Sequence, residues 1–268
     1  MIRRALIALI ALSALLALSG VATWPGPTAL AQDQPCEKAS PGPLPARGSP
    51  GSEEFWRAFR EPLPPAPVWN PAGRKKVGLQ AGHWRVDEIP AELRGVGAGS
   101  SAAGRDEWDV NLDIAQRTAE ILRGFEIDAE VLPATVPVNY RAHVFLSIHA
   151  DGDTSGALSG FKLGRPVFSA TPEADDRLVS ALYATYQDAT GLARDDDHVS
   201  RRMTSYYAFN SRRYCHAVAP GVPSAIIETG YMTSASDRQI LFGAPELAAR
   251  GIADGLRRYL QVDGPQQN

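Results

Sequence analysis

Four side chains stand where a strand pattern ends or a helix pattern begins, and their types suit a hydrolytic metal site. His83 lies three residues beyond the apolar run Val77-Gly78-Leu79-Gln80, His149 directly follows Val144–Ile148, and Glu228 closes the run that starts at Ser224. Open parallel sheets bind ligands at the carboxyl ends of their strands, so one sheet edge would receive two histidines and a glutamate. Glu107 falls in the first turn of a helical pattern, where exposed N–H groups and the helix dipole favour a carboxylate. Two histidines and one carboxylate can hold a zinc ion with an open position, and a second carboxylate can act as general base. Each residue also has a plainer role: a hydrogen-bonded histidine at a strand end, or a favourable first-turn charge. No HExxH word is present, so spacing alone leaves the choice open.

The elements that would position these residues can be read from periodicity. Trp108, Leu112, Ala115, Ala119 and Leu122 recur at helical spacing, which predicts a helix near 107–123. Asp106 is its expected N-cap, Asp109 takes the capping-box position, and Gly124 ends it. Ile127–Leu132 and Val144–Ile148 read as strands, the second apolar on both faces as in a central strand. Thr171-Pro172 opens a helix carrying Leu178, Leu182 and Tyr186 on one face, Ser224–Glu228 is a further strand, and Pro245 opens a last helix with Ala248, Ile252, Leu256 and Tyr259 in phase. Alternating strands and helices predict an α/β fold: a mostly parallel twisted sheet flanked by helices, in a single catalytic domain.

Composition narrows the setting. The chain has 268 residues, a formal net charge of −3 and two cysteines, which argues against a nucleic-acid footprint and against a disulfide scaffold. Arg3 and Arg4, an uncharged run from Ala5 to Thr23 and the small pair Ala29 and Ala31 describe a secretory signal peptide over 1–31; the alternative is an uncleaved membrane anchor. Residues 32–71 form a Pro-rich linker, interrupted by the amphipathic piece Glu53–Phe59. The catalytic domain is expected over 72–262, with a tail at 263–268. Export also favours a Cys36–Cys215 disulfide; two unpaired thiols are the alternative.

The remaining histidines weigh less. His143 and His149 share a strand face but lie about 20 Å apart at ~3.3 Å per residue, so His143 cannot join the same metal. His198 follows Asp195-Asp196-Asp197, read as a solvated loop rather than a calcium site. His216, beside Cys215, is either structural or turned to the substrate, and Tyr206, Tyr207 and Phe209 fit either core or groove lining.

Four words occur in order: Gln80-Ala81-Gly82-His83, Glu107-Trp108-Asp109-Val110-Asn111-Leu112, Ser147-Ile148-His149-Ala150-Asp151 and Ile227-Glu228-Thr229-Gly230-Tyr231. Together they resemble the zinc-dependent N-acetylmuramoyl-L-alanine amidase family of bacterial cell-wall enzymes, whose words are roughly D-x-G-H-G-G, E-x-x-x-N-L, S-I-H-A-N and E-x-G-F. The resemblance implies one Zn2+ held by His83, Glu107 and His149, with Glu228 catalytic. It further implies hydrolysis, in a peptidoglycan or muropeptide substrate, of the amide joining N-acetylmuramic acid to L-alanine. No stable protein partner is predicted. The sequence departs from the family at Gln80, Trp84-Arg85, His143 and Asp151. Two rival readings are an exported zinc carboxypeptidase acting on wall peptides and a catalytically idle peptidoglycan-binding domain.

Overall fold

In the computed structural model, residues 62–262 are described. The apolar runs pair as a five-stranded sheet: β1 (Lys76–Ala81), β4 (Asp128–Leu132), β5 (Val144–Asp151), β6 (Lys162–Gly164) and β7 (Ser224–Tyr231). Their order is β4-β1-β5-β7-β6, with β6 antiparallel at the edge and the other pairings parallel. The short β2 (Ser101–Ala102) and β3 (Arg105–Asp106) form a separate two-stranded ribbon. Helices α1 (Glu107–Arg123), α2 (Pro172–Thr190) and α5 (Pro245–Leu260) are the three long ones, and α3 (Arg201–Thr204) and α4 (Asp237–Leu241) are short.

Strand alternation divides the described residues into two cores. Val77, Leu79, Leu146, Ile148, Ala225 and Ile227 point to the face covered by the long helices, where Ile114, Leu182 and Ile252 meet them. On the opposite face Phe145 and Ile226 pack against Leu93, Phe168, Met203 and Tyr207, contributed mainly by loops and short helices. Side chains two residues apart on a strand share a face, so Gln80, Ser147, His149 and Glu228 belong to this second, loop-covered face. An irregular cover can leave a cavity against the sheet, whereas the helical layer closes its own face.

The expected strands and helices all form, the strands running one to three residues past their predicted ends at β1, β5 and β7. The capping box does not: Asp106 makes no side-chain cap bond. Instead the Glu107 N–H donates to Ser100 O at 2.8 Å, and Asp109 pairs with Arg105. The backbone N–H groups of Leu63, Ala66 and Trp69 donate to the carbonyls of Phe168, Ala170 and Gly221, so the described end of the Pro-rich segment runs along the folded unit. The expected leader, the Glu53–Phe59 piece and the tail lie outside the described residues. So does Cys36; Cys215 is buried and disulfide-bonded. No helix among the described residues is long and apolar enough to cross a membrane.

Candidate metal centre

The carboxyl ends of β1 and β5 and the start of α1 meet at one point. His83 Nε2 lies 3.3 Å and His149 Nδ1 3.0 Å from Glu107 Oε1, and the three residues offer ligand atoms that all fall within 4.8 Å of one another. A tetrahedral zinc with bonds near 2.0–2.2 Å places its ligands roughly 3.3 Å apart. The match is close.

Proton bookkeeping carries the fit further. Ala134 O can only accept, and it accepts from the Tyr207 hydroxyl at 2.5 Å; the Tyr206 hydroxyl donates to Tyr207 at 3.1 Å. Tyr206 is left to accept from His149 Nε2–H at 3.2 Å, which leaves Nδ1 as a bare lone pair. His83 Nδ1–H donates to Gly97 O at 2.5 Å, which bares Nε2. Three lone-pair atoms therefore face one another between two buried residues and the half-buried His83, an arrangement suited to a cation at its centre. Outer hydrogen bonds of this kind fix the tautomers and ring orientations of metal-binding histidines.

Local backbone brings the rings together. His83 adopts φ 62°, a left-handed conformation that is uncommon away from glycine. A Cβ on Gly82 would lie 2.4 Å from the His149 ring, and one on Gly99, itself at φ 84°, would meet Glu107 Oε2 at 2.6 Å. Only glycine permits these approaches. Asn111, one helical turn after Glu107, donates to Gly82 O at 3.1 Å and to Glu107 Oε1 at 3.3 Å. Ser100 N–H donates to Glu107 Oε2 at 2.7 Å. Burial works against ionising Glu107; without metal in place, imidazoles that carry a second proton donate to it, and their charge and hydrogen bonds outweigh burial and hold the carboxyl well below its ordinary range. Burial likewise pushes His149 down, towards the neutral imidazole that a metal requires.

Glu228 stands on the neighbouring strand as the Cα partner of His149. With His83, Glu107, His149, Tyr206 and Arg202 it lines a cavity of about 330 Å³. It is not one of the three clustered ligand residues. The four residues singled out from the sequence are thus brought to one cavity.

The other polar residues sort themselves by contact. His143 Nδ1 accepts from Lys76 N–H, and its ring packs edge-on against Trp69. His216 and Glu92 form a buried pair at 2.5 Å that lies outside the cavity lining. His198 is exposed and contacts Asp195. Asp195 is not the solvated residue expected: its side chain is 12% exposed, because Oδ2 turns inward to the Tyr231 hydroxyl. Gln80 is buried, donating to Ala134 O and Tyr207 and accepting from Ser147; these neighbours are all neutral, so an amide fits there. Tyr206 and Tyr207 line the cavity, while Phe209 joins the core.

Known proteins resemble this chain in sequence and in fold. AmiA of Escherichia coli K12, an N-acetylmuramoyl-L-alanine amidase, is 26% identical over 233 residues, which span 70% of this chain and 76% of AmiA. The catalytic domain of CwlV, an N-acetylmuramoyl-L-alanine amidase from Paenibacillus polymyxa, superposes with a TM-score of 0.50 at 24% identity, covering 70% of this chain and 99% of that one. Ami1 from Mycobacterium smegmatis superposes with a TM-score of 0.53 at 16% identity, covering 72% and 99%. These two superpositions bear on the fold. The model of the family described as N-acetylmuramoyl-L-alanine amidase matches residues 77–258, a span that takes in the sheet from the second residue of β1 onward and every residue of the centre, and the chain belongs to that family.

Proposed function

We propose that this amidase is a single-zinc enzyme in which His83, Glu107 and His149 hold the metal and Glu228 moves the proton. The observation that carries the reading is the convergence of three proton-free ligand atoms within 4.8 Å, on a cavity that Glu228 also lines. A zinc ion there would supply Lewis acidity, polarising the scissile carbonyl and making water easier to deprotonate. Glu228, across the strand pair from His149, accepts the proton of the attacking water and returns it to the departing nitrogen of L-alanine. Tyr206 and Gly97 keep the two imidazoles in the tautomers that leave ligand nitrogens bare. The bond cut joins the lactyl group of N-acetylmuramic acid to L-alanine, in peptidoglycan or its fragments.

We infer that the enzyme acts outside the cytoplasm, where polymeric peptidoglycan lies, after export by a leader over 1–31. On this reading 32–71 tether the catalytic domain of 72–262, and 263–268 are a tail. Incubation of the mature protein with purified peptidoglycan and zinc, followed by mass spectrometry, tests the activity. New L-alanine amino termini on intact glycan are expected. Release of a terminal amino acid would instead indicate a carboxypeptidase, and the absence of any product an idle binding domain.

A further inference from the structure

Lys162 is 2% exposed and sits on β6 directly opposite Glu228. A buried ammonium needs close polar partners. Its Nζ donates to Asp151 Oδ2 at 2.7 Å and to the Tyr231 hydroxyl at 2.6 Å, and lies 3.8 Å from Asp195 Oδ2. The Tyr231 hydroxyl in turn donates to Asp195 at 2.5 Å.

The two direct partners occupy a particular place in the sheet. The β5–β7 ladder pairs His149 with Glu228 and then Asp151 with Tyr231, so two steps on one strand oppose three on the other. Such a bulge breaks the regular ladder and re-aims the side chains beside it. Here the side chains beside it are a metal-site histidine and the proposed base. Asp151 and Tyr231 form the first pair beyond the irregularity, one on each strand, and a single ammonium binds both. Asp151 also stands where the family's word has Asn, and Tyr231 where it has Phe. The aspartate adds a negative charge beside the ammonium, and the tyrosine a hydroxyl that accepts from it.

We propose that Lys162 is a positioning residue, clasping Asp151 and Tyr231 across the bulge and so fixing the spacing of His149 and Glu228. Its effect on turnover rests on the amidase reading; its effect on metal retention does not. The clasp acts on β5 and β7 together, which a contact confined to one strand cannot do.

The test compares the mature protein with three variants. Lys162→Met keeps the aliphatic stem, Lys162→Arg keeps the charge, and Lys162→Met/Asp151→Asn removes both charges, so that no buried ion is left without its partner. Zinc affinity is measured by competition with a chromophoric chelator, and kcat and KM on a muropeptide. In Lys162→Met and in the double variant, both folded by circular dichroism, zinc should bind about tenfold more weakly and kcat should fall about 10–100-fold. KM should change less than about threefold, and Lys162→Arg should recover most of both losses. A double variant with wild-type zinc affinity and kcat would overturn the proposal. Weakened zinc binding in variants of a wild type that cuts no muramoyl amide would uphold the clasp and reject the amidase reading.

Discussion

Glu228 ends the apolar stretch Ala225-Ile226-Ile227, so its carboxylate emerges from the core at the sheet edge beside His149. As a fourth ligand it would fill the position that hydrolysis needs open; as a base it must stay next to that position. Glu228→Gln preserves shape while removing the proton acceptor. This variant is expected to bind a full equivalent of zinc by elemental analysis and to turn over about 10²–10⁴-fold more slowly. Lost zinc would make Glu228 a ligand, and wild-type activity would make it structural. His83→Ala or His149→Ala, by contrast, leaves two protein ligands, and each purified variant should come off a desalting column without metal. A variant that keeps its zinc would remove that histidine from the centre. That these four residues meet at one cavity was legible in the sequence because each sits inside a word with a recognisable strand or helix context. Tyr206 was not: its contact with His149 spans 57 residues, and nothing local to a Tyr-Tyr pair tells a core ring from one that orients a ligand.

At the scale of elements, the turn between β1 and the first histidine carries the tightest constraint. A methyl group on Gly82 would press to 2.4 Å from His149, and ring and backbone cannot both stay in place. Gly82→Ala should cost roughly 1–3 kcal/mol of stability, as overpacking does. It should also weaken zinc binding by more than tenfold, read by chelator titration on protein whose far-ultraviolet circular dichroism is unchanged. Wild-type affinity would show that the His149 ring has room to move. The long elements were readable because α1, α2 and α5 repeat apolar residues at helical spacing, and the parallel strands are buried runs. β6 was not readable: three residues carry too little pattern, and its Lys162 gives a sequence reader a solvated charge rather than a buried one. The cap of α1 was misread for a related reason. Asp106 has the right type for an N-cap, but its side chain makes no cap bond, and the first helical N–H, that of Glu107, is engaged by Ser100 O just before the ribbon.

At the largest scale, the described residues form two cores on the five-stranded sheet, and Asp175 marks a seam between its elements. It lies in the first turn of α2, 1% exposed, and its Oδ1 accepts the Ser224 N–H at the start of β7 at 2.8 Å. Burial pushes its carboxyl up from 3.8 to about 7, against opposing hydrogen bonds from Ser169 and Ser224 and the charge of Arg165. The sign follows from proton binding. Between pH 3.8 and about 7 the unfolded chain has released this proton while the folded chain keeps it, so the group's contribution is fully present below 3.8 and is lost as pH rises towards 7. A shift of that size corresponds to roughly 4 kcal/mol. Asp175→Asn keeps an acceptor for Ser224 and carries no charge at any pH. Urea unfolding of both proteins from pH 4 to 8, with chelator present so that metal binding adds nothing, isolates this one group by difference. The variant should gain on the wild type by a few kcal/mol as pH rises through that window and then level off. Parallel stability profiles would show that Asp175 is ionised in the folded protein throughout, and that the seam tolerates its charge.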